Sequence, residues 1–244
     1  MNYRLTPLQQ VVELLRPWLL LTFYLAFAYC NLWWLAVPTA IITAFASFIQ
    51  LHDCMHSSLG LSKKVNSLFI TMSALLILKS GHSVQVTHLR HHAQCLGEND
   101  PEGEPANWTL KQVFLNGPYH IFTLRFASLK ISPNTKRIQL AETAITVFVL
   151  IAFLAIYFAT GSIIGMIYWS VVFVVSSLMP LWASYIPHKM APRNPARLFG
   201  VRLAQIWTPI ISSFAFHHLH HAYPKIPTAL LPKAAHELPE PEEE

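Results

Sequence analysis

Four apolar segments that are nearly free of charged residues limit this chain to a helical membrane protein. They cover approximately residues 18–29, 32–51, 141–159 and 163–185. A helix needs about 20 apolar residues to cross a bilayer, and it satisfies its backbone polar groups internally. Only 12% of the residues are charged, against about 25% in soluble domains. We therefore expect one all-α integral membrane domain over residues 1–244, with four transmembrane helices in two hairpins.

The positions of the basic residues predict the orientation of these spans. All seventeen Lys and Arg residues lie outside the two short turns near Asn31 and Gly161. Cytoplasmic segments carry an excess of Lys and Arg. The pattern predicts that both termini and the polar segments lie on the cytoplasmic side. We read the net charge of +5 as a mark of membrane topology and expect no nucleic-acid partner.

The segments between the spans are harder to place. Val65–Leu78 is apolar but shorter than a full span, so we expect it to re-enter the membrane or to lie along its surface. Trp108–Ile131 resembles an interfacial helix broken near Gly117-Pro118. We expect Pro17 to open the first span. Lys233–Glu244 is rich in Pro and Glu, which predicts a solvated, disordered tail.

Eight histidines lie in three short boxes with the patterns HxxxH, HxxHH and HxxHH. They are His52, His56, His88, His91, His92, His217, His220 and His221. Residues three and four apart share one face of a helix, so each box is expected to offer its imidazoles to one point. Neutral imidazole binds iron, zinc and copper. A single four-coordinate zinc needs at most four protein ligands, so eight imidazoles suit two metal ions better.

The order of these boxes in an apolar chain resembles the membrane fatty acid desaturase family. That family includes lipid hydroxylases and carotenoid ketolases and hydroxylases. The resemblance runs from about Leu51 to about Pro232. It implies two non-haem irons held by the eight box histidines in a histidine-rich cytoplasmic cap. Tyr185–Lys189 is similar to the Leu-Pro-His-Arg stretch of ketolases, so the resemblance also implies His188 as a ninth ligand.

The same resemblance implies an enzyme that uses O₂ and external electrons on a lipid drawn from the bilayer. Phe216–Pro227 is similar to the desaturase branch, which favours desaturation of a fatty acyl chain. The Pro187-His188 site favours the alternative, a carotenoid ketolase or hydroxylase. The chain has no haem-attachment motif or iron–sulfur cysteine set, so a separate ferredoxin or cytochrome must donate the electrons.

Two other classes of protein fit the sequence less well. A zinc-dependent membrane hydrolase needs a carboxylate base beside its metal, and no HExxH motif is present. A metal transporter places ionisable groups within its spans, whereas the predicted spans here are nearly free of them.

Several polar residues near the boxes have weaker predictions. Asp53 and Asp100 could accept hydrogen bonds from the outer ring nitrogens of ligand histidines, or they could serve as an ordinary helix cap and loop charge. His218 lies about 100° from the ligand face of its box, so we expect it beside the site. His82 and His120 are not expected to be ligands.

Overall fold

The computed structural model describes residues 3–190, 202 and 212–238, and these ranges contain helices and no β-strand. Four helical stretches are long and apolar enough to cross a membrane: Pro7–Tyr29, Trp33–Met55, Pro133–Thr160 and Ile164–Lys189. The most apolar part of the third stretch is almost entirely unburied, which suits contact with lipid. The predicted all-α class with four candidate spans is confirmed, while sidedness stays a prediction.

Helices α1 (Pro7–Tyr29) and α2 (Trp33–Met55) pack against each other. Thr6 opens α1 by accepting a hydrogen bond from the Gln9 backbone N–H, and the Gln9 side chain accepts one from the Thr6 backbone N–H. Asn31, with φ of 57°, reverses the chain between the two helices. Small residues allow close helix contacts in membranes, and four buried alanines lie in this core: Ala28, Ala36, Ala40 and Ala44.

Pro17 lies inside α1, so the prediction that it opens the first span is wrong. Proline has no N–H for the carbonyl four residues earlier, which leaves the Glu13 carbonyl without its helical donor. The Gln50 side-chain amide donates to the carbonyls of Glu13 and Leu14, both at 2.8 Å. The Gln50 oxygen accepts from Ser73 Oγ at 2.7 Å. Gln50 therefore ties the proline site of α1 to its own helix and to α3.

Helices α3 (Lys63–Leu76) and α4 (Gly81–Ala93) form a pair bent by 104°. Leu78, with φ of 53°, lies at the bend, and Ser80 caps the start of α4. A Cβ atom at Gly81 would overlap the carbonyl oxygen of Ile70. The absence of a side chain at Gly81 therefore allows α4 to leave the bend in close contact with α3.

Helix α5 (Leu110–Ile131) is continuous, so the predicted break near Gly117-Pro118 is wrong. A Cβ atom at Gly117 would overlap the carbonyl oxygen of Ser177. The glycine therefore marks the place where α5 packs closely against the end of α7.

The third and fourth candidate spans contain α6 (Lys136–Thr160), α7 (Ile164–Ser177) and α8 (Leu181–Lys189). Gly161, with φ of 71°, makes the turn after α6. Pro180 lies between α7 and α8, and α8 is π-helical. This widened helix ends the fourth span and carries His188.

The last described residues form α9 (Ser212–Ala215), α10 (His217–Ala222) and α11 (Leu231–Glu237). Leu231 and Ala234 are fully buried in a small cluster with Leu219 and Ile226. The predicted disordered tail from Lys233 is therefore wrong as far as Glu237, and residues 239–244 lie outside the described residues. Short 3₁₀ helices cover Glu104–Asn107, Pro133–Thr135 and Thr228–Leu230.

Candidate metal centre

Four helices bring the predicted ligands together. The C-terminal end of α2 carries His52 and His56, and α4 carries the second box. α8 carries His188, and α10 carries the third box. Eight of these nine histidines fall into two neighbouring groups of four, and within each group the candidate ligand atoms lie within 4.8 Å of one another.

The first group contains His52, His56, His88 and His220. His56 Nε2 lies 2.9 Å from His88 Nε2, and the rings of His52 and His220 have centroids 4.2 Å apart. Three of the four residues are buried, and His56 is half-buried. One histidine from the second box and one from the third thus join both histidines of the first.

The second group contains His91, His188, His217 and His221. His188 Nε2 lies 3.2 Å from His91 Nε2 and 2.8 Å from His217 Nε2. His188 therefore stands with the box histidines, as the resemblance implied.

The second and third boxes are divided between the two groups. His88 and His91 belong to different groups, as do His220 and His221. We predicted that the histidines of each box would face one common centre, and only the two histidines of the first box lie in the same group. Residues three apart on a helix diverge by about 60° and rise about 4.5 Å, which lets neighbouring turns face different centres.

His92 and His218 belong to neither group. His92 Nε2 lies 3.0 Å from His220 Nε2, and the His92 ring stacks on His221 with centroids 4.2 Å apart. His92 thus adjoins both groups. His218 approaches only the edge of the site, with its ring centroid 6.4 Å from that of His188, which agrees with its position off the ligand face.

Two carboxylates hold the outer nitrogens of box histidines. Asp100 Oδ2 accepts from His91 Nδ1 at 2.7 Å, and both side chains are fully buried. Glu102 Oε1 lies 2.8 Å from His88 Nδ1. A hydrogen bond of this kind places the proton on Nδ1 and leaves the Nε2 lone pair free for a metal.

The two carboxylates differ in their electrostatics. Burial raises the pKa of Asp100, but the hydrogen bond from His91 and those from the Gly103 and Leu96 backbone N–H groups outweigh it, so the net shift is downwards. Burial, helped by the nearby Asp100 charge, raises the pKa of Glu102 to about 7. Asp100 is therefore ionised at neutral pH, whereas Glu102 titrates close to neutral pH.

Asp53 does not accept a hydrogen bond from a box histidine, which was one of the two roles considered for it. Its nearest approach to the His52 ring is 3.7 Å, beyond a hydrogen bond. It accepts instead from the backbone N–H and the hydroxyl of Thr228, at 3.0 and 2.6 Å. Asp53 thus ties the end of α2 to the segment after the third box. Adjacency to a histidine in sequence indicated the wrong partner.

Sequence reasoning missed two acidic residues near the boxes. Glu102 lies in a loop that carries several acidic residues, so nothing in its local sequence marks it. Glu142, in α6, is buried and accepts from Ser80 Oγ at 2.8 Å and from the His82 backbone N–H at 3.0 Å. Its other oxygen lies 2.7 Å from His82 Nδ1. Glu142 thereby anchors the start of the helix that carries the second box.

The residues present fit bound metal ions. Three buried ring nitrogens make no hydrogen bond within the described ranges: Nδ1 of His52, Nδ1 of His220 and Nε2 of His221. His91 donates from Nδ1, so its Nε2 carries a lone pair. His188 Nε2 cannot form hydrogen bonds with both His91 Nε2 and His217 Nε2, so at least one of these close nitrogen–nitrogen contacts lacks a shared proton. With metal–nitrogen bonds of about 2.1 Å, two ligands at right angles lie about 3.0 Å apart, close to the observed separations.

The protonation of the rings also suits metal binding. Burial, followed by the charges of neighbouring imidazoles, lowers the pKa of His217 and of His220 well below the ordinary value. These rings are therefore neutral at physiological pH. An all-imidazole donor set is typical of iron, zinc or copper.

A cavity of about 380 Å³ lies beside the histidine groups. Leu150, Trp169 and Phe173 form part of its apolar wall, and Glu102 lies at its polar end. Phe48 lines the cavity and has its ring centroid 6.2 Å from that of His52. The cavity thus approaches the first group on two sides, and its volume is in the range of small-molecule sites.

Candidate membrane spans together with two histidine groups that could hold metal ions define the class of a helical membrane protein with a candidate metal centre. The family is defined by sequence: a family model described as fatty acid desaturase matches residues 31–243, and the chain belongs to that family. The chain is also 26% identical over 242 residues to a protein named fatty acid desaturase from Bacillus subtilis (strain 168), an alignment that covers 83% of this chain and 67% of that protein. No solved structure matches the chain.

Proposed function

We propose that this chain is a membrane-bound di-iron enzyme that uses O₂ and external electrons to desaturate a fatty acyl chain. The observation that carries the proposal is the pair of adjacent four-histidine groups, in a member of the fatty acid desaturase family. The overall reaction removes two hydrogens from a CH₂–CH₂ unit. It consumes one O₂, two electrons and two protons, and it releases two waters.

Nine histidines are proposed as ligands. One iron takes His52, His56, His88 and His220, and the other takes His91, His188, His217 and His221. His92, which adjoins both groups, completes the set. The bound irons would supply the activation of O₂ needed to break an unactivated C–H bond.

The protein's own groups orient the ligands and the substrate. Asp100 and Glu102 hold the rings of His91 and His88, so that each Nε2 lone pair keeps its direction. The apolar cavity binds the acyl chain and excludes water from it. Phe48, between the cavity and His52, positions the chain beside the first group.

The proposed membrane arrangement rests on the distribution of charge. The turns near Asn31 and Gly161 carry no basic residue, so we place them on the outer side. The metal site and both termini then lie on the cytoplasmic side. A separate electron carrier of the ferredoxin or cytochrome type would reach the site from there.

Mass spectrometry of lipids and pigments from cells that express the protein tests the reaction. We expect new unsaturated acyl chains with wild type and none with His91→Ala, which should bind less iron while still inserting into the membrane. Full activity of His91→Ala would refute the ligand assignment. Oxygenated carotenoids with unchanged acyl chains would favour a ketolase or hydroxylase instead. One zinc per chain and no iron after anaerobic iron loading would favour a hydrolase.

A further inference from the structure

Lys79 lies at the bend between α3 and α4 and lines the cavity. Among the described residues, its ammonium makes no hydrogen bond and no ion pair. Lys79 is half-buried, and a charge that is partly withdrawn from water in a membrane protein is costly unless a partner stabilises it. A cation at this position therefore calls for an anionic partner.

The other charged side chains that line the cavity already have partners in the protein. Arg125 donates to the side-chain and backbone oxygens of Gln139, at 2.9 and 3.1 Å. Glu102 accepts from His88. Lys79, Glu102 and His120 all line the cavity, and the charge of Lys79 acts on both of the others. Within the described ranges, Lys79 is thus the charged lining residue that lacks a hydrogen-bonded or ion-paired partner.

We propose that the cavity binds an amphiphile with an anionic headgroup, a carboxylate or a phosphate, which pairs with Lys79. The hydrocarbon chain would lie along Leu150, Trp169 and Phe173 on the apolar wall. The inference rests on the proposed function in one respect, that this amphiphile is the substrate. Binding itself needs only the cavity and the lysine.

The rival explanation is that Lys79 is stabilised by Glu102 alone. The two residues do not approach within ion-pair distance, and Glu102 holds the ring of His88. If Glu102 were nevertheless a sufficient partner, the cavity would bind charged and neutral chains equally well. The affinity for ligands that differ only in headgroup charge therefore separates the two explanations.

The experiment measures competition against radiolabelled palmitate on the purified full-length protein in a non-ionic detergent. The competitors are palmitate, hexadecyl phosphate and hexadecanol, which share one chain length. The variants are Lys79→Met, which removes the charge, and Lys79→Arg, which keeps it. Lys63→Met is the matched control, because Lys63 begins α3 and is exposed.

We expect wild type to prefer an anionic chain to hexadecanol by about tenfold or more, since a hydrogen bond between two charged groups is stronger than one to a neutral hydroxyl. Lys79→Met should abolish this preference, whereas Lys79→Arg and Lys63→Met should retain it. Whether palmitate or hexadecyl phosphate binds tighter identifies a free fatty acid or a phospholipid as the source. Equal affinities for the alcohol and both anions in wild type would overturn the proposal, even if Lys79→Met does not fold. A preference that persists in Lys79→Met would overturn it as well.

The outcome can be separated from that of the proposed function. If the anion preference depends on Lys79 but cells show no new unsaturated lipids, the binding site stands and the desaturase proposal fails. If unsaturated lipids appear but wild type does not discriminate the headgroups, the desaturase proposal stands and the proposed anion site fails.

Discussion

Replacing Asp100 with Asn tests how far the second histidine group depends on its carboxylate. Asp100 Oδ2 accepts from His91 Nδ1 at 2.7 Å and from the Leu96 backbone N–H at 2.9 Å. Oδ1 accepts from the Gly103 backbone N–H at 2.9 Å. An asparagine can place an oxygen on only one of these sides. Its amide would face either His91 or Gly103 with donor against donor, in a fully buried setting.

The expected magnitude follows from these contacts. If the asparagine oxygen accepts from the Gly103 N–H, the asparagine NH₂ group faces His91 Nδ1. It would then favour the tautomer that carries the proton on His91 Nε2, the nitrogen proposed to bind metal. A hydrogen bond to a charged group is worth about 1.5–3 kcal/mol, and loss of such a partner typically lowers metal affinity about 10–100-fold. We therefore expect the second metal to bind about 10–100-fold more weakly and the first to be nearly unaffected.

Titration of purified protein with Fe²⁺ under anaerobic conditions, with elemental analysis after gel filtration, measures this effect. Asp100→Asn should retain close to one tight iron per chain, against two for wild type. Glu98→Gln is the matched control, because Glu98 lies exposed in the same loop and its loss should change nothing. Two irons bound to Asp100→Asn with wild-type affinity would refute the role assigned to the carboxylate.

Three further predictions concern other contacts of the site and the fold. His188→Ala should lower iron from two per chain towards one, whereas His218→Ala should leave it unchanged; equal losses in elemental analysis would contradict the grouping. Gly117→Leu should destabilise the packing of α5 on α7 by about 1–3 kcal/mol, seen as a lower melting temperature in detergent, and an unchanged temperature would argue against that contact. Glu142→Gln should lower stability by a similar amount, because an amide cannot accept all the hydrogen bonds around it; wild-type melting and iron content together would show that this anchor is dispensable.

The sequence allowed much of the fold to be predicted because the bilayer imposes local rules. An apolar run with few or no charged residues predicts a span wherever it occurs, and four such runs correspond to the four candidate spans. Prolines and glycines were harder to interpret. Pro17 and Gly117 were taken as boundaries, but both lie within helices. Gln50 donates to the carbonyl that Pro17 leaves without a donor, and Gly117 leaves room for the carbonyl oxygen of Ser177.

The candidate site, like the fold, could be predicted only in part from the sequence. Helical spacing and the order of the boxes allowed the eight histidines to be chosen as candidate ligands, and the family resemblance added His188. Spacing could not show that His88 and His91 would face different groups, because that depends on where α2, α8 and α10 lie. Nor could it show that Glu102, and not Asp53, would hold a box histidine.

The sequence by itself determined the helices, the candidate spans and the ligand type, because hydrophobicity and helical periodicity act over a few residues. Only the tertiary structure decided which imidazoles form one group, which carboxylates orient them and where a half-buried lysine meets a cavity. These choices join residues far apart in the chain, such as Asp53 and Thr228. They depend on how whole helices pack, which no local pattern encodes.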